Sequence, residues 1–308
     1  MQAELLSDAP ATVEEITTER AWLEARRNGI GASEAAAILG LSPYKSLLTL
    51  YAEKLELLEP DATEREALYW GKMLEEPIAR RYAEVTGRKV QREAPYTLRR
   101  SRQHPFMVAT LDALTWPEPQ SVAPLEIKNV GGYRADDWEE EPPIHIQIQV
   151  QHQLAVTGHA RASIAALVGG NRLIWMDVVR NDRFIAVLVE REAEFWRRLQ
   201  EQDPPPVDGS DSAREILRRL YPKETPGLVV NLPADVIEWD TELQQIKTGL
   251  KGSEARKQEL ENKIKAILGE AETGICSNGL QFTWKASERK GYVVEATMVR
   301  TLRRKEAK

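Results

Sequence analysis

Residues 104–130 read HPFMVATLDALTWPEPQSVAPLEIKNV, and this stretch decides the fold. Two strand-like runs, 106–116 and 122–130, flank a Pro-rich turn, and each carries an acidic residue where chemistry can use it: Asp112 in the first, Glu126 in the second. Side chains alternate faces along a strand, so Glu126 and Lys128 point one way while Ile127 points into a core. Two carboxylates can hold a divalent cation, and an ammonium beside them can orient a water or help deprotonate it. That is equipment for hydrolysing a phosphodiester. The competing reading is a surface cross-strand pair of Glu126 and Lys128, since an acidic residue followed by E-x-K arises easily by chance.

Working outward, the preceding region reads as helical. A helix is expected over 13–27, then a Gly-rich turn in "GIGASEAAAILG" with Ser33 as N-cap and an alanine-rich helix ending at Gly40. Further helices are expected over about 46–57 and 64–86, the latter closed by Gly87. Strand patterns follow at 89–98, 106–116 and 122–130. Residues 144–157 alternate as I-Q-I-Q-V-Q, yet Ile146, Val150, Leu154 and Thr157 share a helical face; a helix is the reading, because a crossover must precede the next strands. Those are 162–168 and 172–179, joined at Gly169-Gly170-Asn171, then 183–189 as strand and 190–201 as helix. The segment "DPPPVDGSDSA" reads as a linker.

Beyond it, Val236, Trp239, Leu243, Ile246 and Leu250, then Leu260, Ile264 and Ile267, keep a 3/4 spacing, with Ser253 and Lys257 at intervening core positions. Gly249 and Gly252 interrupt the run, so a helical hairpin or short coiled-coil arm over about 235–269 is expected rather than one uninterrupted rod. A small β-rich tail (279–299), basic from Lys285, closes the chain. Two parts result: a core over 1–205 and an extension over 206–308.

Composition narrows the class. The 308 residues are 42% hydrophobic and 29% charged, as in ordinary soluble proteins. No apolar run reaches membrane-spanning length, and the N-terminus lacks the pattern of a signal peptide. A single cysteine, Cys276, excludes a disulfide framework, a zinc knuckle and a cysteine-held iron–sulfur cluster, and points to a reducing cytoplasm. The net charge of −6 argues against a uniformly positive nucleic-acid-binding surface but leaves room for local basic patches such as Arg99–Arg102.

Other constellations each have a plain alternative. Glu75 lies on the 64–86 helix and could support a metal-bound water, or could simply face solvent. "GIGASE", with Arg26 upstream, offers a hydroxyl and backbone N–H groups at a helix start, which suits an anion; a simple N-cap fits as well. Gln149 and Gln153 share a helical face and could bond a phosphate or water, or form a polar face. His145, His152 and His159 stand two turns apart, about 10 Å, too far for one metal, and read as structural, with His104 a turn or core residue.

Taken in order, Arg26, "GIGASEAAAILGLSPY", "GKMLEEPIARRYAEVTG", "HPFMVATLD", "LEIK" and "IQIQVQHQLAVTG" resemble the YqaJ-type viral recombinase nucleases, relatives of the phage lambda exonuclease in the RecB-like branch of the PD-(D/E)xK superfamily. The resemblance covers roughly residues 20–205. It implies an α/β (α+β) restriction-endonuclease-like core, a central mixed β-sheet flanked by helices, with a helical and small β extension. It also implies a Mg²⁺-dependent nuclease, with Mn²⁺ able to substitute, digesting double-stranded DNA ends 5′→3′ in phage or prophage recombination beside a single-strand annealing protein in the bacterial cytoplasm. A homo-oligomer is expected, and no membrane association. Asp112 and Glu126 would be metal ligands with the main-chain carbonyl of Ile127, Lys128 would position or activate the water, and Glu75 and Gln149 would complete the catalytic group. Arg26 and Ser33 would grip a 5′-phosphate. Two departures stand out: Ala113 replaces the usual Gly, and Leu111 the Pro of the superfamily's name. An endonuclease on the same core, or a DNA-binding recombination mediator without activity, are the rival readings.

Overall fold

The structure, a computed structural model, describes residues 10–58, 66–207, 209, 211–278, 280–286 and 304. It divides into two compact units, residues 1–222 and 223–308.

The first unit holds two sheets. Strands β1 (Ala11–Glu15), β2 (Ile30–Gly31), β4 (Thr97–Ser101) and β5 (Met107–Ala109) form one, in the order β1-β4-β5-β2. Strands β3 (Lys89–Arg92), β6 (Ala113–Glu118), β7 (Ser121–Val130), β8 (Arg161–Val168) and β9 (Arg172–Val179) form the other, in that order. The β7–β8 pair is parallel and its neighbours antiparallel, so the sheet is mixed as expected. A parallel pair needs a crossover, and helix α5 (Ile144–Thr157) supplies it, ended by Gly158 at φ 74° where a side chain would be strained.

The long sheet is covered on both faces, and β7 shows why. Leu125 and Ile127 pack with Ala113 and Ala165 against Ile78, Ala79 and Tyr82 of helix α4 (Glu66–Thr86). The alternate residues of β8, Ala162, Ile164, Ala166 and Val168, meet Ile146, Val150 and Leu154 of α5. Glu126 and Lys128 therefore belong to the face that α5 covers. The remaining helices of this unit are α1 (Glu19–Arg27), α2 (Ala35–Ile38), α3 (Leu47–Lys54), α6 (Asp182–Glu201) and α7 (Asp211–Leu220).

Several local expectations need correction. Residues 13–15 are strand, paired to β4, and the helix begins only after Thr18, whose hydroxyl caps Ala21 N. The expected strands 89–98 and 106–116 are each broken in two. Residues 183–189 are the first half of α6. Their β-branched content suggests a strand, but Ile185, Leu188, Glu192, Phe195 and Leu199 are buried on one helical stripe and Asn181 caps the start. The C-terminal end of the expected linker is helical, because Ala213 and Ile216 of α7 are buried and Ile216 packs on Leu48 and Ala52 of α3. In the second unit, 235–268 is a single helix, α8, not a hairpin, and it runs through both glycines; ion pairs such as Lys263–Glu259 and Arg256–Glu259 line its C-terminal half. Strands β10 (Thr273–Ile275) and β11 (Gln281–Thr283) form a hairpin, and the rest of the expected basic tail lies outside the described residues. No helix among the described residues is long and apolar enough to cross a membrane.

One polar contact ties three elements together inside the core. His152 of α5 and Glu192 of α6 are wholly buried, with Nδ1 to Oε1 at 2.8 Å, and His152 Nε2 donates to the carbonyl of Val108 in β5 at 3.0 Å. Burial works against a charged imidazole, yet the Glu192 carboxylate and the Val108 carbonyl outweigh it and raise the His152 pKa. Removing one partner of such a pair leaves a buried polar group without compensation. Glu192→Ala is expected to destabilise the first unit by about 3 kcal/mol in denaturant melts. A raised histidine pKa adds stability below the unfolded value of about 6.5 and loses it as pH rises through the folded value. The stability gap between the native chain and Glu192→Gln should therefore narrow as pH is raised.

Candidate active site

Asp112 lies immediately before β6, and the register Ala113↔Leu125 sets it beside the middle of β7. Its Oδ2 accepts a hydrogen bond from Ile127 N at 2.8 Å. Ala113 is fully buried and begins a regular strand between β3 and β7, so the extra methyl is absorbed into the core. Leu111 packs with Met107, Ala109 and Val156.

Glu126, only 2% exposed, is the most enclosed carboxylate of the group. Its Oε1 meets Lys128 Nζ and accepts from Gln149 Nε2, both at 2.6 Å, and its Oε2 accepts from Gln153 Nε2 at 2.6 Å. Lys128 Nζ also donates to Gln149 Oε1 at 3.2 Å. The glutamine run of α5 thus has a definite purpose: residues four apart on one helical face clamp both oxygens of a buried acid. Gln149 and Gln153 are the pair the sequence puts on one helical face; that both bond Glu126 emerges only from the packing.

Glu75 comes from α4 and binds Arg92 of β3, close enough to Asp112 for its charge to be felt there. Burial, the neighbouring Glu126 carboxylate and, more weakly, Glu75 push the Asp112 carboxyl well above its ordinary value, with Lys128 and the Ile127 N–H opposing them. For Lys128 burial lowers the pKa, but the Glu126 and Asp112 carboxylates outweigh it and the net direction is up. Two mutually repelling buried carboxylates form a donor set that suits a divalent cation. Among the described residues no group of three or more His, Cys, Asp or Glu could hold a metal ion. An ion here would rest on two carboxylates, completed by main-chain, water and substrate oxygens, which is a Mg²⁺-like coordination habit.

Arg26, at the end of α1, reaches toward the turn that carries Ser33. Strand β2 runs parallel to β5, and Gly29 must be glycine there, since a Cβ would meet Val108 Cγ1 at 2.9 Å and the Phe106 carbonyl at 3.1 Å. The next residues, Ala32–Glu34, form a 3₁₀ turn in which Ser33 is exposed. Ser33 is not the N-cap: Gly31 holds that position of the turn, and Glu34, three residues on, reaches back so that its Oε2 accepts from Gly31 N at 2.8 Å. The Arg26 guanidinium stacks 4.6 Å above the Trp22 ring and reaches within 3.7 Å of where a Cβ on Gly31 would sit. Helix α2 then packs Ala35 and Ala36 on Ile148 of α5, which joins this turn to the helix bearing Gln149.

Two features escaped the sequence reading. Tyr44 accepts a hydrogen bond from Arg134 Nη1 at 2.8 Å and meets His145 edge-on, and the charge of Lys128 is felt at His145. Tyr44 falls within the motif "GIGASEAAAILGLSPY" but nothing in its spacing marks it. Lys54 of α3 is buried beneath the 29–34 turn, where its Nζ donates to the Gly29 carbonyl at 2.6 Å and the Arg26 carbonyl at 3.1 Å and pairs with Glu34 at 2.7 Å. Burial lowers the Lys54 pKa, and Glu34 partly restores it. A lysine near the end of a helix gives no hint of that burial.

The comparisons with known proteins bear on this constellation. Residues 21–160 match the family model described as the YqaJ-like viral recombinase domain. The chain is 33% identical over 268 residues to protein YqaJ of Bacillus subtilis (strain 168), covering 86% of this chain and 82% of that one. The chain belongs to the YqaJ-like viral recombinase family. Asp112, Glu126, Lys128, Glu75, Gln149, Arg26 and Ser33 all lie inside the family match. Among solved structures, the chain is similar to an alkaline exonuclease from Laribacter hongkongensis (18% identity, TM-score 0.47, 65% of this chain and 96% of that one). It is also similar to a phage-related exonuclease from Haemophilus somnus 129PT (14% identity, TM-score 0.41, 56% and 94%). Both overlaps are too loose to carry a function across.

Lys54→Met would leave Glu34 half-buried without its cation and two carbonyls without their donor. A loss of about 2–3 kcal/mol in the first unit is expected, read by thermal or urea unfolding.

Proposed function

We propose that this member of the family is a metal-dependent deoxyribonuclease, a 5′→3′ exonuclease on double-stranded DNA ends, acting in phage-type recombination beside a single-strand annealing protein in a bacterial cytoplasm. The observation that carries the reading is the convergence of Asp112, Glu126 and Lys128 at one strand, with the amine 2.6 Å from the Glu126 carboxylate and Gln149 joining both.

Asp112 and Glu126, with the Ile127 carbonyl, would hold Mg²⁺, with Mn²⁺ as its substitute. When bound, the ion would lower the pKa of an attacking water and neutralise charge growing on the scissile phosphate. The chain's own groups account for the rest. Lys128 carries three N–H donors on a stem held over Glu126, and swinging from that carboxylate to a water or phosphate oxygen orients the nucleophile. Gln149 and Gln153 keep Glu126 in one rotamer throughout. Glu75, anchored by Arg92, places a further negative charge beside Asp112. Arg26 and the exposed Ser33 hydroxyl form an anion seat for a terminal 5′-phosphate, fixing which strand enters and from which end.

The deciding experiment supplies linear duplexes with 5′-phosphate or 5′-hydroxyl ends and a closed circular control, with Mg²⁺ and then with EDTA. Digestion of linear DNA alone, dependent on Mg²⁺ and faster from 5′-phosphate, is expected. Nicking of the circle would make the enzyme an endonuclease, and tight binding without hydrolysis would leave a recombination mediator. Lys128→Ala is expected to lower cleavage by at least about 10²-fold while DNA binding, measured by fluorescence anisotropy, is largely retained. Arg26→Ala should weaken the preference for 5′-phosphorylated ends; an unchanged ratio would remove Arg26 from the phosphate seat.

A further inference from the structure

Beneath the turn that carries Ser33 lies a lysine whose contacts do more than hold the backbone. The Lys54 side chain is 5% exposed and that of Glu34 19%. An ammonium has three N–H donors, and Lys54 Nζ meets three acceptors. They are the Arg26 carbonyl near the end of α1 at 3.1 Å, the Gly29 carbonyl at 2.6 Å and Glu34 Oε2 at 2.7 Å. The two carbonyl contacts tie the end of α1 to the start of β2, as any structural lysine could. The third engages an acid that stands beside Arg26.

A carboxylate is out of place beside a seat for a phosphate, because it competes for the same guanidinium. Glu34 Oε2 and Arg26 Nη2 lie 3.6 and 3.7 Å from one point, the place a Cβ on Gly31 would take. Rotation about the Glu34 side-chain bonds would bring the two charges into contact. They are not paired. The Arg26 guanidinium rests 4.6 Å over the Trp22 ring and makes no ion pair among the described residues. Glu34 Oε2 is instead held by Lys54 and by Gly31 N at 2.8 Å. The Arg26 charge is felt at Lys54 as well, so two cations and one acid share this corner of the fold. The buried cation answers the acid, and the outer one keeps its charge.

We propose that Lys54 is a positioning residue for the anion seat: by holding Glu34 it keeps the Arg26 guanidinium stacked on Trp22 and uncommitted, ready for the 5′-phosphate of a DNA end. The inference rests on the reading of Arg26 as the phosphate grip, so one of its two readouts is independent of DNA.

The first readout is the ratio of kcat/KM for duplexes with 5′-phosphate and 5′-hydroxyl ends, taken on the full chain with Mg²⁺. Lys54→Met should lower that ratio about tenfold, the loss of one charge-assisted bond. Adding Glu34→Gln should restore most of it, since the amide oxygen still accepts from Gly31 N but carries no charge to capture Arg26. A lysine that only braced the turn would give no such rescue. Lys54→Gln, which keeps a donor and loses the charge, serves equally if the methionine variant does not fold. The second readout is the ¹⁹F resonance of 5-fluorotryptophan at position 22, assigned with Trp22→Phe. It should shift in Lys54→Met and return in the double variant, as Arg26 leaves the ring and comes back. An unmoved resonance, an unchanged ratio, or a double variant without rescue would overturn the proposal. A native chain with no phosphate preference, whose resonance still shifts and returns, would remove the phosphate seat and support the coupling of Lys54 to Arg26.

Discussion

A carboxylate enclosed between a sheet and a helix has to be hydrogen-bonded or paired, and Glu126 meets that demand with three groups at 2.6 Å: Lys128, Gln149 and Gln153. The consequence reaches beyond the site. Both glutamines can serve Glu126 only if α5 lies across β7 with this face inward, so satisfying one acid fixes the rotation of the crossover helix. That rotation turns Ile146, Val150 and Leu154 onto β8 and carries His152 to Glu192 and Val108. The polar cluster that would do the chemistry is also the lock that sets the packing of the sheet's covered face.

The opposite face of β7 is apolar at its centre. Ile127 and Leu125 pack on α4, and the same helix brings Glu75 to Arg92 near Asp112. A strand that alternates acid, aliphatic, amine therefore divides its work cleanly, with the middle residue anchoring and its neighbours exposed to the polar side. Asp112 reaches the cluster from the bend that precedes β6, held there by the Ile127 N–H. The smaller sheet has a separate task. It holds β2 beside β5 and so fixes the turn bearing Ser33, which Lys54 secures from below.

Much of this was legible in the chain. Alternation in "LEIK" told which side chains share a face, the need for a crossover settled 144–157 as a helix although it also alternates as a strand would, and Gly87 ends its helix at positive φ as expected. Where the reading failed, local preference and tertiary context disagreed. Val13–Glu15 is strand because β4 offers a partner edge, and 183–189 is helix because its stripe finds a core. Glycines at 249 and 252 read as breaks, yet the helix runs through both.

The sequence by itself determined the order of elements around 104–179 and the faces of β7, because strand and helix periodicity act over a few residues and are written locally, while Asp112, Glu126, Lys128, Glu75, Gln149, Arg26 and Ser33 became candidates as a set through the ordered motifs that resemble the family. Only the tertiary structure decided that Gln153 shares the clamp on Glu126, that Arg92 holds Glu75, that Tyr44, bonded by Arg134, comes near Lys128, and that Lys54 is buried beneath the 29–34 turn. Those contacts join residues distant in the chain. Their energies come from desolvation and charge in a shared interior, which no local pattern records.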